Sequence, residues 1–103
     1  MLAFLSAQQS SLAAGAETFL NLTIPAGSVI PTTSTGYVSP YFPLVTCLEA
    51  TFISTSCLVA EAVLSGSNNV ITVNIKNVGS GASASWYVVV VLFGPTGGQA
   101  TAL

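Results

Sequence analysis

The stretch Val70-Ile71-Thr72-Val73-Asn74-Ile75-Lys76-Asn77 decides the fold class of this chain. Every second residue from Ile71 to Ile75 is a β-branched aliphatic residue, and the residues between them are mostly polar, so the pattern has a period of two. Turn-forming residues flank the stretch, with Ser65-Gly66-Ser67-Asn68-Asn69 before it and Gly79-Ser80-Gly81 after it. The stretch is therefore predicted to be a β-strand with one buried and one exposed face.

The next apolar stretch, from Ser85 to Phe93, is apolar on both faces. A helix that spans a bilayer needs ~20 apolar residues, and this run is shorter, rich in valine and closed by Gly94-Pro95, so it is also predicted to be a strand. In a single small sandwich one face of a strand normally meets water, so an outer apolar face predicts contact with another subunit. The predicted interface residues are Trp86, Tyr87, Val88, Val89, Val90, Val91, Leu92 and Phe93.

Three further segments have strand-like composition: Ala16 to Ile24, which ends at Pro25-Ala26-Gly27, Leu44 to Ile53, and Cys57 to Leu64. The last could form a short helix, but its length and flanking turns favour a strand. Several short strands without a long helix predict an all-β fold, an antiparallel β-sandwich or jelly-roll-like single domain. We expect this domain to cover residues 16–94, with an N-terminal arm (1–15) that orders on assembly and a C-terminal tail (95–103).

Charge is unusually scarce in this chain. Charged residues make up 4% of its 103 residues, against about 25% in a typical soluble domain. The full set is Glu17, Glu49, Glu61 and Lys76. So neutral a surface does little to oppose association, and a single lysine cannot neutralise a nucleic-acid backbone. The composition therefore predicts a protein partner and excludes a nucleic-acid partner.

The residues needed for common enzyme chemistry are missing. The sequence has no histidine and no aspartate, so neither a Ser-His-Asp set nor a histidine acid/base can be formed. No spacing of cysteines and glutamates matches a metal site, and no glycine-rich loop carries the lysine of a phosphate site. We expect no catalytic residue, no metal and no cofactor, with Glu49 and Glu61 acting as solvated charges at strand edges.

The two cysteines, Cys47 and Cys57, are predicted to be small buried hydrophobic residues in a reducing compartment. A disulfide between neighbouring antiparallel strands remains an alternative, because spacing alone does not decide it.

An aromatic loop lies between Tyr37 and Pro43, where two prolines exclude a central strand. Its Tyr37, Tyr41 and Phe42 are candidate partner-contact residues. They could either anchor the loop in the core or pack against another subunit. Together with Trp86 they could alternatively form a surface on which sugars stack.

The order of these pieces resembles a known family. The residues that carry the resemblance are the lead-in Ser10 to Ala16, the strand and stop Leu22-Thr23-Ile24-Pro25-Ala26-Gly27, the stretch Asn68 to Gly79, and the final apolar strand. They resemble small all-β structural proteins of tailed bacteriophages that decorate or cement a capsid or form tail-fibre tips. The resemblance implies a homo-oligomer, commonly a trimer, assembled in the host cytoplasm and bound to the major capsid protein on the virion surface, with no membrane partner.

Two other functions remain open from the sequence. One is a tail-fibre or knob tip that binds a host glycan through Tyr37, Tyr41 and Phe42. The other is a filament or pilus subunit whose residues 1–15 donate a strand to the next copy. A capsid decoration protein is the preferred hypothesis.

Overall fold

The computed structural model describes residues 2–24, 42–63 and 70–93, and these residues form six β-strands and no helix. The strands are β1 (Leu2–Leu5), β2 (Glu17–Thr23), β3 (Phe42–Glu49), β4 (Leu58–Val63), β5 (Val70–Asn77) and β6 (Trp86–Phe93). Two three-stranded antiparallel sheets pack together, which confirms the predicted all-β sandwich. The segment from Cys57 to Leu64, for which a helix was an alternative, contains strand β4.

Each sheet is built around one of the two strands with the clearest sequence signal. Sheet A has the strand order β1-β6-β3, and sheet B has the order β2-β5-β4. The chain changes sheet at every connection except that from β4 to β5, which pair as neighbours within sheet B. The strands β5 and β6 are therefore central, and each needs an apolar face toward the other sheet.

The core lies between these two central strands. Its buried residues are Ile24, Ile71, Val73, Ile75, Trp86, Val88, Val90 and Leu92. Four of them correct the predicted interface: Trp86 is 1% exposed, and Val88, Val90 and Leu92 are 0% exposed within a single chain. The prediction that these four residues face another subunit is wrong, because a sandwich needs an apolar inner face from each sheet and β6 supplies that of sheet A.

Residues 2–15, predicted to belong to an N-terminal arm that orders on assembly, pack onto the sandwich of their own chain. Strand β1 pairs with β6, the Ser6 hydroxyl accepts a 2.8 Å hydrogen bond from the Val88 amide, and Gln9 pairs with Trp86. Leu12 packs against the core. The physical reason is that a central strand has backbone hydrogen-bonding groups on both edges, and this segment satisfies those on the edge of β6 that faces away from β3.

Strand β3 begins earlier than the sequence pattern indicated. Phe42 and Pro43, predicted to lie in the aromatic loop, pair with Phe93 and Leu92 as the first residues of β3. The strand is at an edge of sheet A, where a proline without an N–H group is tolerated. At its other end β3 stops at Glu49, four residues before the predicted end at Ile53. Tyr37, Tyr41 and the tail (95–103) lie outside the described residues.

Asn77 is a polar residue on the buried face of β5, where it is 0% exposed. Its side-chain amide donates hydrogen bonds of 2.9 Å to the carbonyl oxygens of Leu12 and Gly81. Its Oδ1 atom accepts hydrogen bonds from the amides of Cys57 (3.2 Å) and Gly79 (3.0 Å). All of the hydrogen-bonding capacity of the side chain is used, so one residue joins the N-terminal segment to the loops 50–57 and 78–85.

Gly79 lets these two loops approach closely. A Cβ atom at this position would lie 2.7 Å from the Cys57 nitrogen and 2.8 Å from the Ser56 carbonyl carbon, which are backbone atoms that cannot rotate away. Nearby, the backbone amides of Ser80 and Gly81 both donate hydrogen bonds to the carbonyl oxygen of Thr55, at 2.8 and 3.0 Å. A residue without a side chain is therefore required at the point where the loops meet.

The Asn77 network predicts a large stability loss on truncation. Asn77→Ala would leave two carbonyls and two amides without their partners in a buried site, so we expect a loss of about 3 kcal/mol in the free energy of unfolding. Urea denaturation followed by tryptophan fluorescence measures it. The control is Asn74→Ala, on the outer face of the same strand, where one hydrogen bond of 3.3 Å to Glu17 is lost and a change of about 0.5 kcal/mol or less is expected. Equal losses in the two variants would contradict the role assigned to Asn77.

Candidate assembly surface

The outer side of sheet A is an apolar surface. Because side chains alternate along each strand and paired residues share a face, the register of β1, β6 and β3 defines which side chains point away from the core. They are Ala3, Leu5, Leu44, Thr46, Leu48, Tyr87, Val89, Val91 and Phe93, and we call this set the apolar face. Thr46 and Tyr87 carry its only side-chain polar atoms, and none of its residues is charged.

The large side chains of the apolar face are widely exposed. Leu5, Leu44 and Leu48 are 56%, 60% and 53% exposed, and Phe93 is 46% exposed. They surround half-buried residues of β6, because Val89 is paired with Leu5 on one side and with Thr46 on the other. A contiguous apolar patch of this kind on a small domain is typical of an interaction surface.

The outer side of sheet B is mixed, since its exposed Phe19, Val59 and Val63 lie among charged and polar residues. Three of the four charged residues of the chain, Glu17, Glu61 and Lys76, lie there and are exposed. Asn74 donates to Glu17, and the Thr72 hydroxyl donates a 2.8 Å hydrogen bond to Asn21. The exposed apolar residues of this face alternate with polar ones in the register, so it is suited to contact with water.

Glu49 does not have the solvated position that the sequence predicted, whereas Glu61 is exposed on the edge strand β4. The Glu49 carboxylate is half-buried and accepts hydrogen bonds from the Ser56 hydroxyl (2.9 Å) and the Ala84 amide (3.1 Å). It therefore joins the loops 50–57 and 78–85. Glu49 is half-buried because its side chain points inward, on the same side of sheet A as the buried Trp86 with which it is paired.

An open cleft of about 340 Å³ lies beside Glu49, between β3 and the loop that leads to β4. Its wall includes Cys47, Leu48 and Leu58, together with Phe52, which is 87% exposed. The carboxylate of Glu49 already accepts hydrogen bonds from Ser56 in one loop and from Ala84 in the other. The geometry therefore gives Glu49 a structural role in this cleft.

Both cysteines are free thiols. Cys47 is half-buried in β3, whereas Cys57 is exposed, so the prediction of a buried residue is wrong for Cys57. Burial of the Cys47 side chain, together with the nearby negative charge of Glu49, raises the pKa of its thiol to about 11. At neutral pH this thiol is protonated, and the thiolate is the reactive form.

The different environments of the two thiols predict selective modification. At pH 8 an aromatic disulfide reagent that releases a coloured thiol should react quickly with the exposed Cys57. It should react slowly with Cys47, because the raised pKa of that thiol keeps it protonated. The measurement is the rate of chromophore release from the folded chain. Cys57→Ser should remove the fast phase and Cys47→Ser should retain it. A slow phase that does not accelerate between pH 8 and 11 would contradict the raised pKa of Cys47.

The structure brings together only part of the residue set that the sequence identified. Tyr87, Val89, Val91 and Phe93 share the apolar face. Trp86, a candidate for sugar stacking, is a core residue whose indole N–H has no hydrogen-bond partner among the described residues.

The sequence reasoning missed the leucines of the flanking strands. Leu44 and Leu48 come from β3, and Leu5 comes from β1, whose pairing with β6 is not visible in a local pattern. The spacing of Leu44 and Leu48 by four residues was the one available signal, since it places both on the same side of a strand.

No group of three potential metal-binding side chains occurs within the described ranges. Those ranges also contain no helix that is long and apolar enough to cross a membrane. Comparison of the chain with protein-family models, with curated proteins and with solved structures gives no match.

Proposed function

We propose that this chain is a structural protein that works by assembly, as a decoration or cement protein that forms a homo-oligomer, a trimer by the resemblance, on the major capsid protein of a virion. The observation that carries the proposal is the separation of charge. The outer side of sheet B holds Glu17, Glu61 and Lys76, and the outer side of sheet A holds no charged residue.

The hydrophobic effect supports an assembly function. Apolar surface removed from water contributes about 25 cal/mol per Å² before the entropy of docking is subtracted. The exposed leucines of the apolar face would contribute to this term only when a partner covers them. With so few charges on the chain, electrostatic repulsion between neighbouring subunits is small.

A rigid attachment is also consistent with this role. The hydrogen bonds of Asn77 and Glu49 hold three segments at one end of the sandwich, so the two sheets are fixed relative to each other. A cement protein needs such rigidity, because ordering a flexible subunit on the shell would reduce the binding free energy.

The two alternative functions receive less support. The glycan-binding hypothesis names Tyr37, Tyr41 and Phe42, of which Tyr37 and Tyr41 lie outside the described residues and Phe42 is the first residue of β3. Trp86, the fourth aromatic residue of the suggested stacking surface, is buried. The filament hypothesis requires a free N-terminal segment, and β1 is paired with β6 of its own chain. We therefore retain the decoration function.

The proposal predicts a measurable effect on particles. Virus particles that carry the gene should contain the chain on their shells, and particles without it should lose their genome at lower temperature, because the cementing contacts are gone. Quantitative mass spectrometry of purified particles and a dye-release thermal assay measure the two properties. Restoring the purified chain to deficient particles is the control and should recover heat resistance. Particles with unchanged heat resistance would exclude a cementing role.

A further inference from the structure

We infer that the apolar face of sheet A is covered by the same face of other copies of this chain. This inference rests on the proposed assembly function and names the partner of one surface. It differs from the sequence expectation, in which both sides of β6 met a neighbour, because only the outer side of β6 is available and the leucines of β1 and β3 extend it.

Charge favours a copy of the chain as the occupant. In a two-fold contact residue i of one copy meets residue j of the other, so every charged residue in the patch needs an opposite charge or a hydrogen-bond partner at the matching position. The apolar face meets this condition because it has no charged residue, whereas burying the outer side of sheet B would also desolvate Glu17, Glu61 and Lys76. Of the two outer faces, that of sheet A is therefore the one that a second copy can cover without desolvating an ion.

The polar atoms of the apolar face are compatible with this contact. Thr46 and Tyr87 carry hydroxyl groups, which both donate and accept hydrogen bonds and can therefore pair with an identical group across a symmetry axis. Around them, Leu44, Leu48 and Phe93 project from a pleated surface of the kind that packs about 10 Å from another sheet.

The size of the face fits a weak, reversible contact between copies. Sheet A has three strands of up to eight residues, which at the usual spacings span roughly 14 by 26 Å. Packing this face on a second copy removes on the order of 500 Å² from each chain, or on the order of 1,000 Å² for the pair, which is the minimum for a biological interface and is typical of weak, transient contacts. A sheet this narrow can face one copy across a two-fold axis or two copies around a three-fold axis.

The test compares lysine substitutions on the two sheets. Leu48→Lys places a charge on the apolar face at a position that is 53% exposed, and Phe19→Lys is the matched control on the outer side of sheet B at 59% exposure. Both lie on edge strands, and both move the net charge from −2 toward zero, so a general electrostatic effect would favour association equally in the two variants.

We expect the full-length chain to be a dimer or trimer at micromolar concentration by light scattering coupled to size-exclusion chromatography. Leu48→Lys should raise the dissociation constant by about 100-fold, since it buries an unpaired charge, and Phe19→Lys should leave it unchanged. Leu44→Lys, at 60% exposure on the same face, is a second variant in case the first does not fold, and circular dichroism verifies folding.

The outcomes separate the inference from the proposed function. An oligomer that resists both Leu48→Lys and Leu44→Lys, or one that Phe19→Lys dissociates instead, would overturn the inference and leave the assembly function standing. A wild-type chain that stays monomeric overturns the self-contact. If that monomer still restores heat resistance to deficient particles, the shell or another part of the chain covers the face. If it does not bind particles, the proposed function fails as well.

Discussion

The buried side chain of Asn77 holds together three segments at one end of the sandwich. An amide in a sandwich core is costly unless every donor and acceptor is paired, and here the carbonyls of Leu12 and Gly81 and the amides of Cys57 and Gly79 pair with it. The main chain of Asn77 also bonds to Gly15 and Ala16. One residue thereby ties three chain segments that are distant in sequence, and it requires the close loop approach that Gly79 permits.

At the end of the sandwich where Asn77 lies, polar contacts hold the loops that connect the two sheets. Glu49 reinforces this end through Ser56 and Ala84, so the connections between the sheets are held by polar contacts while the apolar residues of β5 and β6 fill the space between them. With one side of each central strand committed to the core, the other side faces outward. The outer side of β6 is apolar and that of β5 is largely polar, which gives the molecule two chemically different surfaces.

This asymmetry connects the fold to the proposed assembly. A chain with four charged residues cannot cover its whole surface with charge, and three of the four lie on one sheet. The uncharged sheet then offers leucine, valine and phenylalanine side chains to a neighbour without desolvating an ion. In the proposed assembly the side of sheet B that carries Glu17 and Lys76 would face water, so each subunit would have a defined orientation.

The all-β class, the position of most strands and the scarcity of charge could be predicted before the fold was known, because strand periodicity and composition are local properties of each segment. The alternation from Val70 to Asn77 predicted β5 to the residue. The buried side of β6 could not be predicted in this way, since Trp86 to Phe93 is apolar on both sides and packing against β5 selects one of them in the folded chain. The tertiary structure also joined Leu5 and Leu48 into one face and gave the inward-facing Asn77 its partners, because pairings between distant segments leave no mark in a local pattern.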